Sequence, residues 1–102
     1  MKLGYARVST EDQRLDAQRA RLNEAGCGRL YEEKISGATR QRPALERLLQ
    51  EMRAGDILVV TRLDRLARST AELLRIAAVI VEKNGGLQSL EELWGNRGKS
   101  PG

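Results

Sequence analysis

The sequence predicts an α/β domain with a mainly parallel central sheet flanked by helices. Short aliphatic runs alternate with stretches of helical period along the chain. One of those runs, Ile57-Leu58-Val59-Val60, is continuously apolar, as a strand covered on both faces must be. At 102 residues there is room for one core, and a composition of 40% hydrophobic and 31% charged residues is that of a folded globular chain. Phe is absent and aromatics make up 3%, so the core must be aliphatic and base stacking on exposed rings has little to work with.

Lys2 to Val8 reads as the first strand, and Ser9-Thr10-Glu11-Asp12-Gln13 directly after it is a helix-start cluster. Thr10 and Gln13 have capping-box spacing, and the helix they begin is expected to pass through Leu15 and Leu22 to Ala25 and stop at Gly26. Arg29 to Glu33 forms a second strand. Ser36 to Arg42 contains a glycine and no apolar period, which predicts a surface loop able to move.

Pro43 suits the first position of a helix in which Leu45, Leu48, Leu49 and Met52 fall at i, i+3, i+4 and i+7, closing at Gly55. The strand Ile57 to Val60 follows. Ser69 and Glu72 repeat the capping-box spacing ahead of a helix from Thr70 to about Lys83, which is apolar around most of its circumference and is predicted to be heavily buried. Asn84-Gly85-Gly86 ends it, and Leu87 to Leu90 gives a last short strand. The closing GNRGKSPG has no period, so the expected division is a domain over 1–92 and a disordered or artificially appended tail over 93–102.

The residues that are missing narrow the chemistry. With no His and the single Cys27, a Ser-His-Asp triad, a Cys-His pair and a Cys/His zinc site are excluded. Catalysis would have to use Ser, Thr, Tyr, Lys, Arg or carboxylates. A net charge of +4 and a pI near 9.7 favour a polyanionic partner only modestly, so what matters is whether a few arginines converge. The start MKLGYARV lacks a signal-peptide run, and the apolar stretch Leu73 to Val81 is broken by Arg75 and too short to cross a bilayer. The expected location is the cytoplasm, with no membrane partner.

Open parallel sheets carry sites at the carboxyl ends of their strands, here Val8-Ser9 and Val60-Thr61. Arg7 and Ser9 are two apart and share a sheet face if the strand continues through them, which would set a hydroxyl beside a guanidinium. A plain helix cap at Ser9 or Thr10, with Arg7 a solvated edge residue, accounts for the same pair. In Leu63-Asp64-Arg65-Leu66-Ala67-Arg68, a helical turn would make Asp64 and Arg68 i, i+4 neighbours and Arg65 and Arg68 i, i+3 neighbours. One carboxylate could then hold two cations, although an ordinary amphipathic turn with a surface ion pair fits as well. Arginines gathered at one point repel unless an anion sits between them, and a phosphodiester can accept paired hydrogen bonds from each planar guanidinium. Arg7, Arg65 and Arg68, with Arg42 arriving from the loop, could stabilise a pentacoordinate phosphorus and lower the pKa of a serine without a metal.

The string Tyr5-Ala6-Arg7-Val8-Ser9-Thr10, followed by Gln13, Leu15, Asp16 and Gln18, resembles the start of the resolvase and invertase family of serine recombinases. The likeness continues through Ser36-Gly37, Arg42-Pro43-Ala44-Leu45, Gly55-Asp56 and the specific Leu63-Asp64-Arg65-Leu66-Ala67-Arg68, covering nearly all of Lys2 to Leu90. The resemblance implies the family's catalytic fold and a two-step transesterification on duplex DNA through a 5′-phosphoserine, with no cofactor, ATP or metal. By the same resemblance Ser9 is the nucleophile, Arg7, Arg65 and Arg68 hold the phosphate, Asp64 orients the arginines or moves a proton, and Arg42 approaches from the loop. Gln13, Gln18, Glu33 and Ser36 take supporting places, with Glu33 standing where the family often has Asp.

The family continues beyond this region into a long dimer helix and a helix-turn-helix domain, and works as a dimer and tetramer. Neither element is legible after Leu93-Trp94. The chain is therefore expected to be monomeric or weakly associated and unable to recombine DNA unaided. The alternative is a catalytically silent remnant acting as an assembly or regulatory partner of full-length recombinases. A different arginine-based phosphate enzyme on an α/β sheet is the third reading.

Overall fold

The structure, a computed structural model, describes residues 1–8, 15–34, 42–67 and 69–91. In chain order the elements are β1 (Lys2–Val8), α1 (Leu15–Glu24), β2 (Arg29–Lys34), α2 (Pro43–Glu51), β3 (Ile57–Val60), α3 (Leu63–Leu66), α4 (Thr70–Glu82) and β4 (Gly86–Ser89). The four strands form one parallel sheet in the order β2-β1-β3-β4, so the predicted α/β architecture holds.

Alternation along β1 divides the core. Leu3 and Tyr5 point to the side of α2, α3 and α4, where they join Leu45, Leu48, Leu58, Leu66 and Ile76 in the larger cluster. Ala6 faces α1 and packs with Leu22 and Val59 in the smaller one. Helix α1 approaches closely on that side. A Cβ on Gly4 would lie 2.7 Å from Leu30 Cδ2 and 3.1 Å from Cys27 Sγ, so the strand has space only for hydrogen there.

Register sets the position of the site. β1 pairs with β2 along most of its length, from Leu3↔Arg29 to Val8↔Lys34, but with β3 only from Lys2↔Ile57 to Gly4↔Val59. The carboxyl half of β1 therefore extends beyond its other neighbour, and α3 occupies the space where β3 stops.

Helix α2 is amphipathic as predicted, with Leu45, Leu48 and Leu49 buried and Pro43 in its first turn. Helix α4 begins at Ser69, whose Oγ accepts a hydrogen bond from the Glu72 amide at 3.1 Å. Its expected heavy burial is not found. Only Ile76 and Ile80 are buried, while Leu74 is 64% and Val81 70% exposed. The helix lies on a four-stranded sheet that offers one contact face, and among the described residues nothing packs on its outer side.

Helix α4 ends in a Schellman arrangement, in which the Asn84 amide donates to Val81 O at 3.0 Å and the Gly85 amide to Ile80 O at 2.9 Å. Asn84 takes the left-handed conformation this requires, with φ 59°. Pairing beyond β4 continues through Leu90 N to Val60 O and Glu91 N to Thr61 O, each 2.9 Å. Because the stop depends on a left-handed backbone, Asn84→Ala should lower stability by about 1 kcal/mol, while Asn84→Gly should preserve or raise it. Urea denaturation of the two variants checks this, and equal losses would instead assign the stop to the asparagine side chain.

Candidate active site

A four-residue helix such as α3 cannot satisfy its own last carbonyls. The Ala67 amide donates to Leu63 O at 3.0 Å, and the next three carbonyls accept from arginines that come from elsewhere in the chain. Arg7, projecting from β1, donates through Nη2 to Asp64 O at 2.6 Å and through Nε to Arg65 O at 2.9 Å. Arg42 donates through Nη2 to Leu66 O. Charged donors make these bonds stronger than ordinary amide ones, and cations suit a helix carboxyl end. Arg7 and Arg42 thus close α3, the element that carries Asp64 and Arg65.

Helix α3 ends at Leu66, short of Arg68, which lies outside the described residues. Ala67 is extended, with φ −141° and ψ 148°, and the expected pairing of Asp64 with Arg68 lies outside the described residues. The carbonyls of residues 64–66 at the end of α3 are all engaged by guanidinium groups. The exposed Asp64 carboxylate pairs with Arg62 at 3.0 Å.

The backbone of Arg7 is itself clamped. The Ile57 amide donates to Met1 O at 3.0 Å, and the two-residue period of the strand aims the Arg7 amide and carbonyl toward the same β3 side, past the end of β3. Gln18 of α1 fills the gap. Its Oε1 accepts from Arg7 N at 3.3 Å and its Nε2 donates to Arg7 O at 3.2 Å, so a buried side-chain amide stands in for the absent strand.

Beneath α3 lies a second polar layer. Tyr5, fully buried, donates its hydroxyl to Glu33 Oε2 at 2.6 Å, and the same oxygen accepts from the Leu45 amide at 3.2 Å. The side chain of Arg42, the residue before α2, does not cap that helix, so Glu33 serves its amino end from the neighbouring strand. Burial, and then the Glu33 carboxylate, hold the Tyr5 phenol well above the ordinary tyrosine pKa range.

Arg42 requires a correction. It was expected to approach from a loop, but its side chain is 6% exposed, bound to Glu72 of α4 and the Leu66 carbonyl, with its guanidinium carbon 5.8 Å from the centre of the Tyr5 ring. Burial pulls its pKa down, but Tyr5 and Glu72 pull it up by more, so the net shift is upward. Tyr5 and the Glu72 carboxylate together outweigh the loss of solvation for the cation in this position.

Of the predicted site residues, Arg7, Gln18, Glu33, Arg42, Asp64 and Arg65 gather around the carboxyl end of β1. Ser9, Gln13, Ser36 and Arg68 lie outside the described residues. Two participants were missed, Tyr5 and Glu72. The signal for Tyr5 was a hydroxyl on a core-facing strand position in a chain with only two tyrosines. Glu72 satisfied a capping pattern, which concealed its second contact.

A parallel sheet with arginines converging at its carboxyl edge defines an α/β domain with its candidate site at the strand ends. A family model described as Resolvase, N terminal domain matches residues 2–100. The chain is 50% identical over 90 residues to the probable DNA-invertase y4cG of Sinorhizobium fredii, a match covering 88% of this chain and 30% of that protein. It is 46% identical over 92 residues to the transposon Tn552 DNA-invertase BinR of Staphylococcus aureus, covering 90% and 48%. Among solved structures, the C-terminal catalytic domain of ISC1926 TnpA, an IS607-like serine recombinase, superposes with a TM-score of 0.72 at 26% identity, covering 89% of this chain and 69% of that one. The corresponding domain of IS1535 TnpA gives 0.67 at 32% identity, covering 86% and 69%.

The chain belongs to the resolvase and invertase family of serine site-specific recombinases, and corresponds to its N-terminal catalytic domain. It spans about half, or less, of the length of the curated relatives it matches.

The Tyr5 contact yields a test. Tyr5→Phe removes a buried donor from Glu33 and should lower stability by about 1–2 kcal/mol, read by thermal denaturation. Because the folded phenol has the raised pKa, its contribution is present below about pH 10 and lost as pH rises further. Tyrosinate absorbance should therefore show Tyr5 ionising together with alkaline unfolding; ionisation of both tyrosines in the native fold would contradict the buried pair.

Proposed function

We propose that this domain cleaves and rejoins duplex DNA through a covalent 5′-phosphoserine on Ser9. The observation that carries the reading is the Arg7 bridge, which ties the end of the strand preceding Ser9 to the helix bearing Asp64 and Arg65. The Ser9 oxygen attacks the backbone phosphorus and loses its proton, the bond from phosphorus to the 3′-oxygen breaks, and that oxygen leaves as a 3′-hydroxyl. After strand exchange the 3′-hydroxyl attacks the phosphoserine and the serine hydroxyl is restored. One phosphoester replaces another at each step, so the chemistry needs no ATP, metal or cofactor.

In this reading Arg7, Arg65 and Arg68 hold the phosphate and stabilise the pentacoordinate state, and Arg42 adds its charge from beneath α3. Asp64 orients the arginines or moves a proton. Gln18 and Glu33 act through the backbones they hold, and Gln13 and Ser36 support the nucleophile's surroundings. In the same reading, sequence readout and the dimers and tetramers of strand exchange depend on segments outside this domain; the domain by itself is monomeric or weakly associated and does not recombine DNA, and its place of action is the cytoplasm.

A second reading, a silent partner that assembles with full-length recombinases, draws on the exposed Leu74 and Val81 of α4. The two are separated with nicked suicide DNA, on which the cleaved strand end is lost and the adduct accumulates. The chain, alone or supplied with the missing half of a recombinase, should form an adduct on serine that is abolished in Ser9→Ala and reduced about a hundredfold or more in Arg7→Ala. No adduct even with the missing half present would favour the silent partner.

A further inference from the structure

Glu72 has no place in the chemistry just described. It lies in the first turn of α4, three residues after Ser69, where a glutamate ordinarily serves the cap and the helix dipole. Its carboxylate reaches Arg42, 30 residues earlier in the chain, and joins α4 to the entry of α2. The pair is sheltered, with side-chain exposures of 25% for Glu72 and 6% for Arg42.

The Arg42 guanidinium has few other restraints. One Nη meets Glu72, the other meets the Leu66 carbonyl, the Tyr5 ring lies beneath, and Nε is buried without a hydrogen-bond partner among the described residues. Without the Glu72 charge, the buried cation would keep the Leu66 carbonyl and the Tyr5 side chain but lose its ion-pair partner, an arrangement that favours its rotation into solvent. The Leu66 carbonyl would then lose its donor. Leu66 is the last residue of α3, and the extended Ala67 after it directs the chain toward Arg68.

We propose that Glu72 is a positioning residue for the arginine cluster: it holds Arg42 against the Leu66 carbonyl and so fixes the exit of the chain from α3 at Leu66 and Ala67. The proposal rests on the phosphoserine reading for its catalytic consequence, but not for its structural one. It also differs from simple charge balance. Removing an anion beside a cation cluster should by itself strengthen DNA binding, whereas loss of positioning slows bond cleavage.

The test uses the full chain and Glu72→Gln, which keeps the side-chain shape and removes the charge. By NMR, solvent exchange of the Arg42 Nε proton should be at least tenfold faster and the Ala67 amide should shift, while the Leu58 and Val59 amides in the sheet stay in place. Glu72→Asp, which restores the charge, should recover much of both signals. Unchanged Arg42 and Ala67 signals in Glu72→Gln overturn the proposal whether or not the chain cleaves DNA. In the suicide-DNA assay with the missing half supplied, Glu72→Gln should form adduct at least tenfold more slowly with DNA affinity equal or higher. Equal adduct rates overturn the positioning role. Absence of adduct from the unaltered chain would count against the phosphoserine reading alone, since the NMR comparison decides the Glu72 contact separately.

Discussion

Three carbonyl groups at the end of a four-residue helix organise this domain. A helix that short cannot hold itself together, and its last carbonyls run from an exposed bond at Asp64 to a buried one at Leu66. Arg7 and Arg42 resolve the problem by donating to Asp64, Arg65 and Leu66. The same bonds bring β1, α2 and α3 to one point, and Glu72 adds α4. Cations gathered at one point repel one another, and these are partly neutralised by the protein oxygens they bind. Phosphate oxygens carry more charge than carbonyls and can compete for the same donors.

The space for this arrangement comes from unequal strand length. Seven residues of β1 stand beside four of β3, and their pairing ends at Gly4↔Val59. An unpaired strand edge at that position would leave the Arg7 amide and carbonyl without partners in a buried setting. Gln18 supplies both with one side chain, so α1 does more than cover a sheet face: it fixes the residue whose guanidinium closes α3. Glu33 performs a comparable service for α2 from β2. Supporting residues here act by completing backbone hydrogen bonding that the strands and helices leave unfinished.

Much of this was legible in the sequence because it depends on local pattern. The β1 run, the i, i+3, i+4, i+7 leucines of α2, the continuous apolar β3 and the Ser69 cap each follow from periodicity or from a side chain near its own backbone. The ordered motifs that pointed to the recombinase family also located Arg7, Asp64 and Arg65 near one another. What failed was long-range. Nothing near Arg42 in the chain announces Glu72, and nothing in Leu63 to Arg68 announces that distant arginines will take its carbonyls or that the helix ends at Leu66. The exposure of α4 was misjudged for a related reason, since composition records how apolar a helix is but not how many neighbours the sheet can give it.

On the proposed function Arg7 and Arg42 serve the phosphate as well as the fold, and this bears on how such a domain can decay. A lysine could replace the charge of either residue but not the planar fork by which Arg7 bridges two consecutive carbonyls. Selection for a folded protein would therefore retain these arginines after selection for strand cleavage had lapsed. In a lineage that has lost its chemistry, the nucleophile should drift first and the arginines last, so an intact arginine pair beside a substituted serine would mark a copy kept for its shape.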